Sequence, residues 1–439
     1  MSGIQHRSAR GPTTNFEVVM ALIVQKYGGT SVADPERIRA VAEHIAYTKS
    51  HGNQVVAVVS AMGKSTDNLI NLANQVSKTH PGREMDMLLT TGERISMALL
   101  CMALADLGVE AKSFTGSQVG IITDTVHTKA KILEVKGDRV RAALDEGRVC
   151  VVAGFQGVST DSEITTLGRG GSDTTAVAVA AALGADSCEI YTDVTGVFSA
   201  DPRLVPQARK LGHIQFDEML EMAGAGSKVL ALRSVEFARN HNVPIHVRSS
   251  FTWEHGTWVT GDTARKGDGV EDPIVAGVVH DASESKVTVQ AVPDKPGVSA
   301  ALFEPLAASN VNVDMIVQNV SVKGTTDVSF TVPKADMKVA EKIVADVAKQ
   351  IGAEGVTHDD NIAKVSLVGA GMKTSPGVAA KMFRVLAEND VNIQMISTST
   401  IRISVVIAAT DLEKAVRALH TAFGLDSGSA YSAPLPERK

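Results

Sequence analysis

The first part of the chain alternates short apolar runs with longer amphipathic stretches. The apolar runs predict buried strands at Ala21–Gln25, Gln54–Ser60, Val149–Ala153, Ser187–Thr192 and Val243–Ser249. The amphipathic stretches predict helices over Asp34–Ser50, from about Thr66, over Met85–Gly108 and over Thr174–Leu183. Near-continuous apolar strands separated by helices indicate an α/β fold with an open, mainly parallel sheet covered by helices.

The second part of the chain contains an internal repeat. Pro296–Val298 recurs 80 residues later as Pro376–Val378, and Val311–Val313 recurs at the same shift as Val391–Ile393. Two copies of one unit are therefore present. Each copy has the order strand, Pro-Gly turn, helix, Asn-containing turn, strand, strand, helix, which predicts a βαββαβ-type α+β unit. Two such units side by side can join their sheets through their exposed edges.

These patterns divide the chain into five segments. A polar stretch rich in Gly, Thr and Asp marks a boundary near Asp262–Pro273. Met20 offers an alternative start after a lead-in without a hydrophobic pattern. The predicted segments are 1–19, a disordered extension; 20–262, the α/β domain; 263–350, the first α+β unit; 351–425, the second unit; and 426–439, a flexible tail.

Composition narrows the class of protein. The net charge of −6 argues against binding of nucleic acid through a broad basic surface. The three cysteines lie in apolar stretches without metal-ligand spacing, which is typical of reduced thiols in a cytoplasmic protein. No apolar run approaches the roughly 18 residues that a membrane span needs. We therefore expect no nucleic-acid partner and no membrane insertion.

Two glycine-rich loops each precede a helix, and the first of them also follows a strand. In Lys26–Ser31, adjacent glycines let backbone amides face an anion and the lysine adds positive charge, although a surface turn with a solvated lysine is the alternative. In Thr165–Thr175, Arg169 lies between two glycines and suits bidentate recognition of a carboxylate or phosphate. Asp173 can hold lysines by hydrogen bonding, unless Ser172 or Asp173 simply caps the helix.

Other candidates lie at strand and helix ends. Thr192–Arg203 follows a strand, where open parallel sheets bind ligands, but its Asp201 and Arg203 also suit a turn with an internal salt bridge. Lys228 lies beside Gly and Ser, and Glu93 lies at a polar break in an apolar helix, where a first-turn glutamate is also ordinary. Without a nucleophile–base pair or a Cys/His metal cluster, this set fits phosphoryl transfer, which depends on positioning and charge stabilisation.

Four segments in this order closely resemble the aspartate kinase family: Lys26–Ser31, Thr91–Arg94, Leu167–Asp173 and Thr192–Phe198. The repeat resembles the paired ACT domains of that family, and the resemblance covers about Met20 to about Phe423. It implies an amino-acid kinase fold followed by two ACT units. It also implies transfer of the γ-phosphoryl group of ATP, with Mg²⁺, to the 4-carboxylate of L-aspartate, a step towards lysine, threonine, methionine and diaminopimelate. Since no homoserine dehydrogenase module follows, a single-function enzyme is implied.

The resemblance implies roles for individual residues. Lys26 and Lys228 offset the repulsion between two anionic substrates, and Asp173 organises them. Arg169 binds the α-carboxylate of aspartate and Glu93 its amino group. Further substrate contacts are implied for Ser60, Gly170, Gly171 and Ser172. Besides the two lysines, nucleotide contacts are implied for Gly28, Gly29, Thr30, Thr192, Asp193, Phe198, Asp201 and Arg203. No protein metal ligand is predicted.

The repeat predicts feedback inhibition by lysine, threonine or both, across a dimer or higher oligomer formed through the ACT units. One ligand seat is predicted where a Pro-Gly turn meets the Asn-containing turn of the other unit, and its mirror image joins Ser375–Val378 to the first unit. The turn amides suit a carboxylate, and an aspartate takes the ammonium group; tight turns without a ligand are the alternative. The sequence leaves open a separate regulatory subunit. The seat residues are Asp294, Lys295, Pro296, Gly297, Asn312, Asp314, Gln318, Asn392 and Ile393.

Two other functions compete with this one. A kinase acting on acetylglutamate or glutamate is disfavoured, because those enzymes usually lack paired ACT units. A non-catalytic amino-acid sensor with a degenerate kinase domain is disfavoured because the charged residues Lys26, Arg169, Asp173 and Lys228 are intact.

Overall fold

The computed structural model describes residues 20–261, 275–319, 324–373 and 375–426. The predicted extension 1–19, the boundary at 262–273 and nearly all of the tail lie outside these residues.

The strands of residues 20–261 are β1 (Leu22–Tyr27), β2 (Gln54–Val59), β3 (Ala111–Phe114), β4 (Ile121–Thr123), β5 (Ile132–Val135), β6 (Val149–Ala153), β7 (Gln156–Ser159), β8 (Ile164–Thr166), β9 (Ser187–Thr192), β10 (His213–Gln215), β11 (Ile245–Ser249) and β12 (Thr257–Thr260). The helices are α1 (Pro35–Ser50), α2 (Ser65–Val76), α3 (Gly82–Leu89), α4 (Thr91–Asp106), α5 (Gly116–Val119), α6 (Asp138–Asp145), α7 (Gly171–Leu183), α8 (Phe216–Gly224) and α9 (Leu232–His241).

An eight-stranded sheet in the order β10-β12-β11-β9-β1-β2-β6-β3 forms the centre of this part. Its neighbours pair in parallel except β11 and β12, which confirms the predicted mainly parallel α/β fold. A second sheet, β5-β4-β7-β8, was not predicted, because three- and four-residue strands carry too little pattern.

The helix predicted over Met85–Gly108 is two helices, α3 and α4, that meet at Thr90. The hydroxyls of Thr90 and Thr91 donate to the carbonyls of Met87 and Leu88, and so compete with the helical hydrogen bonds. By length and composition alone, Gly82–Asp106 could cross a membrane. It packs instead as a core helix does, with α4 against α1, β3 and β6.

The strands of the second part are β13 (Gly277–Asp281), β14 (Glu284–Pro293), β15 (Asp314–Gln318), β16 (Thr325–Pro333), β17 (Gly355–Asp359), β18 (Ile362–Val368), β19 (Met395–Thr398) and β20 (Arg402–Ala408). The helices are α10 (Val298–Ala308), α11 (Met337–Ile351), α12 (Val378–Glu388) and α13 (Leu412–Ala422). They form two separate antiparallel sheets, β15-β16-β14-β17 and β13-β18-β20-β19, so the two units of one chain do not join their sheets.

The two units obtain their fourth strands differently. The first unit is a complete βαββαβ sequence that ends in β17. In the second unit no strand follows α13 within the described residues, and β13, which precedes the first unit in sequence, pairs with β18. The predicted boundary at 350/351 separates β17 from the rest of the first sheet and β13 from the rest of the second sheet. The segment bounds therefore stay a proposal.

Candidate active site

A cavity of about 290 Å³ opens beyond the carboxyl ends of β1, β2 and β6, at the lower end of the roughly 300–1,000 Å³ usual for ligand pockets. The fold brings together there nine residues singled out from the sequence: Lys26, Gly29, Ser60, Glu93, Arg169, Gly170, Gly171, Ser172 and Asp173. Of the other lining residues, Gly168 belongs to the predicted glycine-rich loop, whereas Ala61, Gly63, Thr66 and Phe155 were assigned no role from the sequence.

Lys26 and Asp173 form an ion pair at one wall of the cavity. Lys26 lies near the end of β1, and Asp173 lies in the first turn of α7. Lys26 Nζ is 2.6 Å from Asp173 Oδ1, and both side chains are mostly buried. The alternative in which Ser172 or Asp173 caps the helix is wrong, because Gly170 is the N-cap residue and α7 has no capping hydrogen bond from a side chain. The carboxylate therefore holds the ammonium group at the cavity.

The loop after Lys26 packs closely at its two glycines. A Cβ on Gly28 would lie 3.3 Å from Lys26 Nζ, and one on Gly29 would lie 3.1 Å from the carbonyl oxygen of Ala61. The carbonyl of Gly29 accepts a hydrogen bond of 3.0 Å from the amide of Gly63. The loops that follow β1 and β2 are thus joined backbone to backbone at the cavity.

Glu93 lies at the start of α4 and is almost fully buried, with 3% of its surface exposed. Its Oε1 accepts a hydrogen bond of 3.2 Å from the amide of Ala61. Burial raises the pKa of Glu93 to about 7, because desolvation disfavours the charged carboxylate. A ligand cation beside it would favour the ionised form.

The loop that carries Arg169 is held by residues outside the cavity lining, in contacts that the sequence did not reveal. The buried carboxylate of Asp86 accepts hydrogen bonds from the Thr166 hydroxyl (2.5 Å) and the Thr128 amide (3.1 Å). Arg233 Nη1 donates to the carbonyl of Leu167 at 3.1 Å. A charged residue on an apolar helix was the available signal for Asp86. These contacts position the loop without lining the cavity.

Phe155 lies in the left-handed region with φ 68°, which is uncommon for a residue with a bulky side chain. Its amide donates to the Thr175 hydroxyl at 3.1 Å, and its carbonyl accepts from the amide of Leu167 at 2.9 Å. Such strain concentrates at functional sites. No residue pattern distinguished Phe155 in the sequence.

The segment after β9 does not line this cavity. Arg203 donates from Nε and Nη2 to the carboxylate of Asp201 at 3.0 and 2.6 Å, so Asp-Pro-Arg forms the turn with an internal salt bridge. The Thr192 hydroxyl donates to Asp193, and Phe198 forms an isolated bridge with Lys210. Thr30 is exposed, and Gly28 also lies outside the cavity lining.

Lys228 is exposed and does not line the cavity with Lys26. Its loop packs against β13: Gly226 has φ 117°, and a Cβ there would lie 2.3 Å from the carbonyl oxygen of His280. Lys228, Asp201 and Arg203 are all within electrostatic range of His280. The structure thus places these three predicted residues near β13, and none of them lines the cavity.

The predicted regulatory residues lie on both units. Lys364 Nζ is 2.6 Å from Glu284 and 2.8 Å from Asp314. Burial alone would raise the pKa of Asp314, but the hydrogen bond and charge of Lys364 hold it below its usual value. Asp314 is thus already paired within the chain, whereas Asp294 is exposed.

The two Pro-Gly turns adopt the same conformation. Gly297 and Gly377 are the N-caps of α10 and α12 with φ 92° and 96°. A Cβ on either would meet nothing within 4 Å, so both turns face open space. Lys295, Pro296, Asn312 and Asn392 are exposed and Ile393 is partly buried. Gln318 accepts a hydrogen bond of 3.2 Å from Ser299 in the same unit.

The family models agree with this architecture. Residues 21–249 match the amino acid kinase family, and residues 287–347 and 365–423 match the ACT domain. The fold and the site therefore define an amino-acid kinase with two ACT domains.

Individual relatives define the family more closely. The chain is 59% identical over 409 residues to an aspartokinase of Mycolicibacterium smegmatis, covering 92% of this chain and 97% of that protein. Identity to the aspartokinase of Corynebacterium glutamicum is 55% over the same length and shares of the two chains. The crystal structure of Escherichia coli aspartokinase III in complex with aspartate and ADP superposes with a TM-score of 0.78 at 25% identity, covering 91% of this chain and 99% of that one. The chain belongs to the aspartokinase family (EC 2.7.2.4).

Proposed function

We propose that the cavity lined by Lys26, Glu93, Arg169 and Asp173 binds L-aspartate next to the γ-phosphate of ATP. The observation that carries this proposal is the convergence of two carboxylates and two cations in one cavity at the sheet edge. Arg169 binds the α-carboxylate and Glu93 the amino group. Ser60, Ser172 and the backbone of Gly170 and Gly171 supply further hydrogen bonds.

The substrate's own 4-carboxylate is the nucleophile and is ionised at pH 7, so the reaction needs no general base. The barrier lies in bringing this anion against the anionic γ-phosphate. Lys26 offsets that repulsion, and Asp173 keeps its ammonium group in place. Lys228 approaches the phosphates from the β13 side.

The nucleotide occupies the neighbouring surface, between the first loop (Gly28, Gly29, Thr30) and the segment after β9 (Thr192–Arg203). The relative crystallised with aspartate and ADP supports this use of the fold. Among the described residues, no group of three His, Cys, Asp or Glu side chains suits a metal ion. Mg²⁺ enters with the phosphates of ATP in this proposal, because this ion keeps several waters and is usually bound through substrate phosphates and one or two carboxylates.

The activity test uses aspartate, ATP and hydroxylamine, which traps the acyl phosphate as a coloured hydroxamate. Lys26→Ala should lower kcat on the order of 10²-fold or more and change the KM for aspartate little, because the lysine acts on charge in the transition state. Near-normal kcat in a folded Lys26→Ala protein would contradict this role.

Arg169→Lys separates substrate binding from phosphate binding. It keeps the charge but loses the planar fork, so the KM for aspartate should rise strongly while the KM for ATP stays within a few-fold. An equal rise in both KM values would make Arg169 a phosphate ligand instead.

We further propose feedback inhibition by lysine, threonine or both at the open Pro-Gly turns, each seat completed by a second chain of a cytoplasmic homodimer or higher oligomer. Because Asp314 is held by Lys364, Asp294 is the carboxylate left for the ligand's ammonium group. Asp294→Ala or Gln318→Ala should abolish inhibition and keep the uninhibited kcat within about twofold. Inhibition constants unchanged in both variants would exclude these seats.

A further inference from the structure

Ser199 lies between the predicted nucleotide residues Phe198 and Asp201 and is fully buried. Its amide donates to the carbonyl of Arg209 at 2.9 Å, and its hydroxyl oxygen accepts from the amide of Arg209 at 3.0 Å. These two bonds join the segment to Arg209, which follows it in the chain. Its carbonyl accepts from the amide of Val278 in β13 at 2.7 Å. One residue thus joins the nucleotide segment to the second regulatory sheet.

The Ser199 hydroxyl makes a second contact with the regulatory part, 2.9 Å from Nε2 of His420 in α13. Because the hydroxyl oxygen already accepts the Arg209 amide, its own proton is available to Nε2. His420 is fully buried, and burial lowers its pKa, so the imidazole is neutral and can accept that proton.

The same segment and the two residues that follow it, Leu204 and Val205, also pack on the regulatory core. Ala200 and Val205 are buried in one cluster with residues of β13, β18 and α13. Arg417 of α13 donates from Nε to the carbonyl of Leu204 at 2.8 Å. At Gly277, a Cβ would lie 2.7 Å from the Ser199 carbonyl oxygen, so β13 approaches as closely as only glycine permits. The nucleotide segment therefore packs directly on the second ACT unit.

The aspartate side is held differently. Glu93 bonds to Ala61, Lys26 pairs with Asp173, and the Arg169 loop is held by Asp86 and Arg233, all within the catalytic domain. Of these two substrate sites, the contacts of the second ACT unit described above reach only the nucleotide segment; another contact of that unit, from Ser399 to Glu221, falls on α8.

We propose that Ser199 and His420 are positioning residues that hold the nucleotide-binding segment on the second ACT unit, so that this unit controls the affinity for ATP and not that for aspartate. The proposal rests on the proposed nucleotide role of Thr192–Arg203.

His420→Phe keeps the buried ring but removes the acceptor, and Ser199→Ala removes the hydroxyl. Each variant should raise the KM for ATP and the Kd for ADP, measured by calorimetry, about 5- to 10-fold, as for loss of one buried hydrogen bond. The KM for aspartate should stay within about twofold. His420→Gln retains an amide near the position of Nε2 and should recover most of the ADP affinity.

Ser399→Ala is the matched control, because the Ser399 hydroxyl donates to Glu221 at 2.9 Å across the same domain boundary without touching the nucleotide segment. It should leave the Kd for ADP unchanged. In a double-mutant cycle, His420→Phe should add little to Ser199→Ala, because both remove the same hydrogen bond. Melting temperatures of all variants separate local effects from unfolding.

The outcomes distinguish this proposal from the function beneath it. If Phe198→Ala weakens ADP binding but His420→Phe does not, the nucleotide segment stands and the positioning role is wrong. If neither variant changes ADP binding, the assignment of the nucleotide segment itself fails. Equal rises in the KM for ATP and for aspartate in His420→Phe would also overturn the proposal, since they would indicate general loosening.

Discussion

Glu93 shows what the fold does to a single residue. In the sequence it is a polar residue in the first turn of an apolar helix, where a glutamate is ordinary. In the structure it is buried against the Ala61 amide at the cavity, and its pKa rises to about 7. A carboxyl group that titrates near neutral pH at a ligand cavity has a measurable effect on binding.

The first prediction at this scale is a pH dependence of aspartate binding. Only ionised Glu93 can pair with the substrate's ammonium group, so kcat/KM for aspartate should rise with pH up to about 7 and then level off. Glu93→Gln should lower kcat/KM roughly 10- to 100-fold at pH 8 and remove this pH dependence. Measuring both proteins in the same buffers at saturating ATP controls for titration of the nucleotide. An unchanged pH profile in Glu93→Gln would contradict the role.

The second prediction concerns stability. The pKa of Glu93 is higher in the folded protein than the 4.5 of an ordinary glutamate. Protonation of Glu93 therefore contributes to the free energy of unfolding in full below pH 4.5, and this contribution is lost as pH rises through 7. The loss is at most about 3 kcal/mol at alkaline pH. Glu93→Gln stays neutral and should therefore melt above the wild type at pH 8 but not near pH 4.5. Equal differences in melting temperature at both values would show that Glu93 is not protonated in the folded state.

At the scale of the element, helix α7 depends on glycine at both ends for different reasons. Gly170 at its start and Gly184 at its end both lie in the left-handed region, with φ 73° and 67°. A Cβ on Gly170 would lie 2.4 Å from Cβ of Ala231, whereas one on Gly184 would meet nothing within 4 Å. Only the amino-terminal glycine is therefore required by a close approach.

These two glycines form a matched pair of substitutions. Both Gly170→Ala and Gly184→Ala should cost about 1–2 kcal/mol from the left-handed backbone. Gly170→Ala should in addition displace the neighbouring Arg169 and lower kcat/KM for aspartate about tenfold or more, whereas Gly184→Ala should leave it unchanged. Urea unfolding and the hydroxamate assay measure the two effects. Similar activity in the two variants would show that the Arg169 loop does not depend on this contact.

At the scale of the whole molecule, the two regulatory units do not simply follow each other along the chain, because the first unit lies between β13 and the other strands of the second sheet. β17 completes the first sheet by pairing with β14, and β13 completes the second by pairing with β18. β13 also contacts the catalytic segment at Ser199. A cut placed by the repeat alone would therefore separate strands from their sheets.

A pair of fragments tests this arrangement. The fragment 284–359 contains β17, whereas 284–351 ends with α11 and leaves β14 as an unpaired edge. The longer fragment should unfold cooperatively in urea, and the shorter one should be less stable by several kcal/mol or aggregate. Equal unfolding midpoints would show that β17 does not belong to the first unit in solution.

The sequence alone determined the features that repeat locally along the chain. The strands at Val149–Ala153 and Ser187–Thr192 were predicted with their observed bounds. The first is an apolar run closed by Gly154, and the second is a short stretch with β-branched and aromatic residues that ends before Asp193. The two ACT units followed from identities at one shift, and the fold confirms them as sheets with the same helix caps at Gly297 and Gly377. The glycine-rich loops were visible because their residue types serve only a few backbone geometries.

The tertiary structure alone decided which distant residues meet. No sequence pattern indicates that Ser199 contacts His420, that Asp314 pairs with Lys364, or that Glu93 is buried. Lys228, which the sequence interpretation groups with Lys26, lies beside β13 and does not line the cavity. Periodicity shows which face of its own helix or strand a residue occupies. The pKa values, the ion pairs and the pairing of β13 with β18 depend instead on contacts between elements far apart in the chain, and only the folded topology determines those contacts.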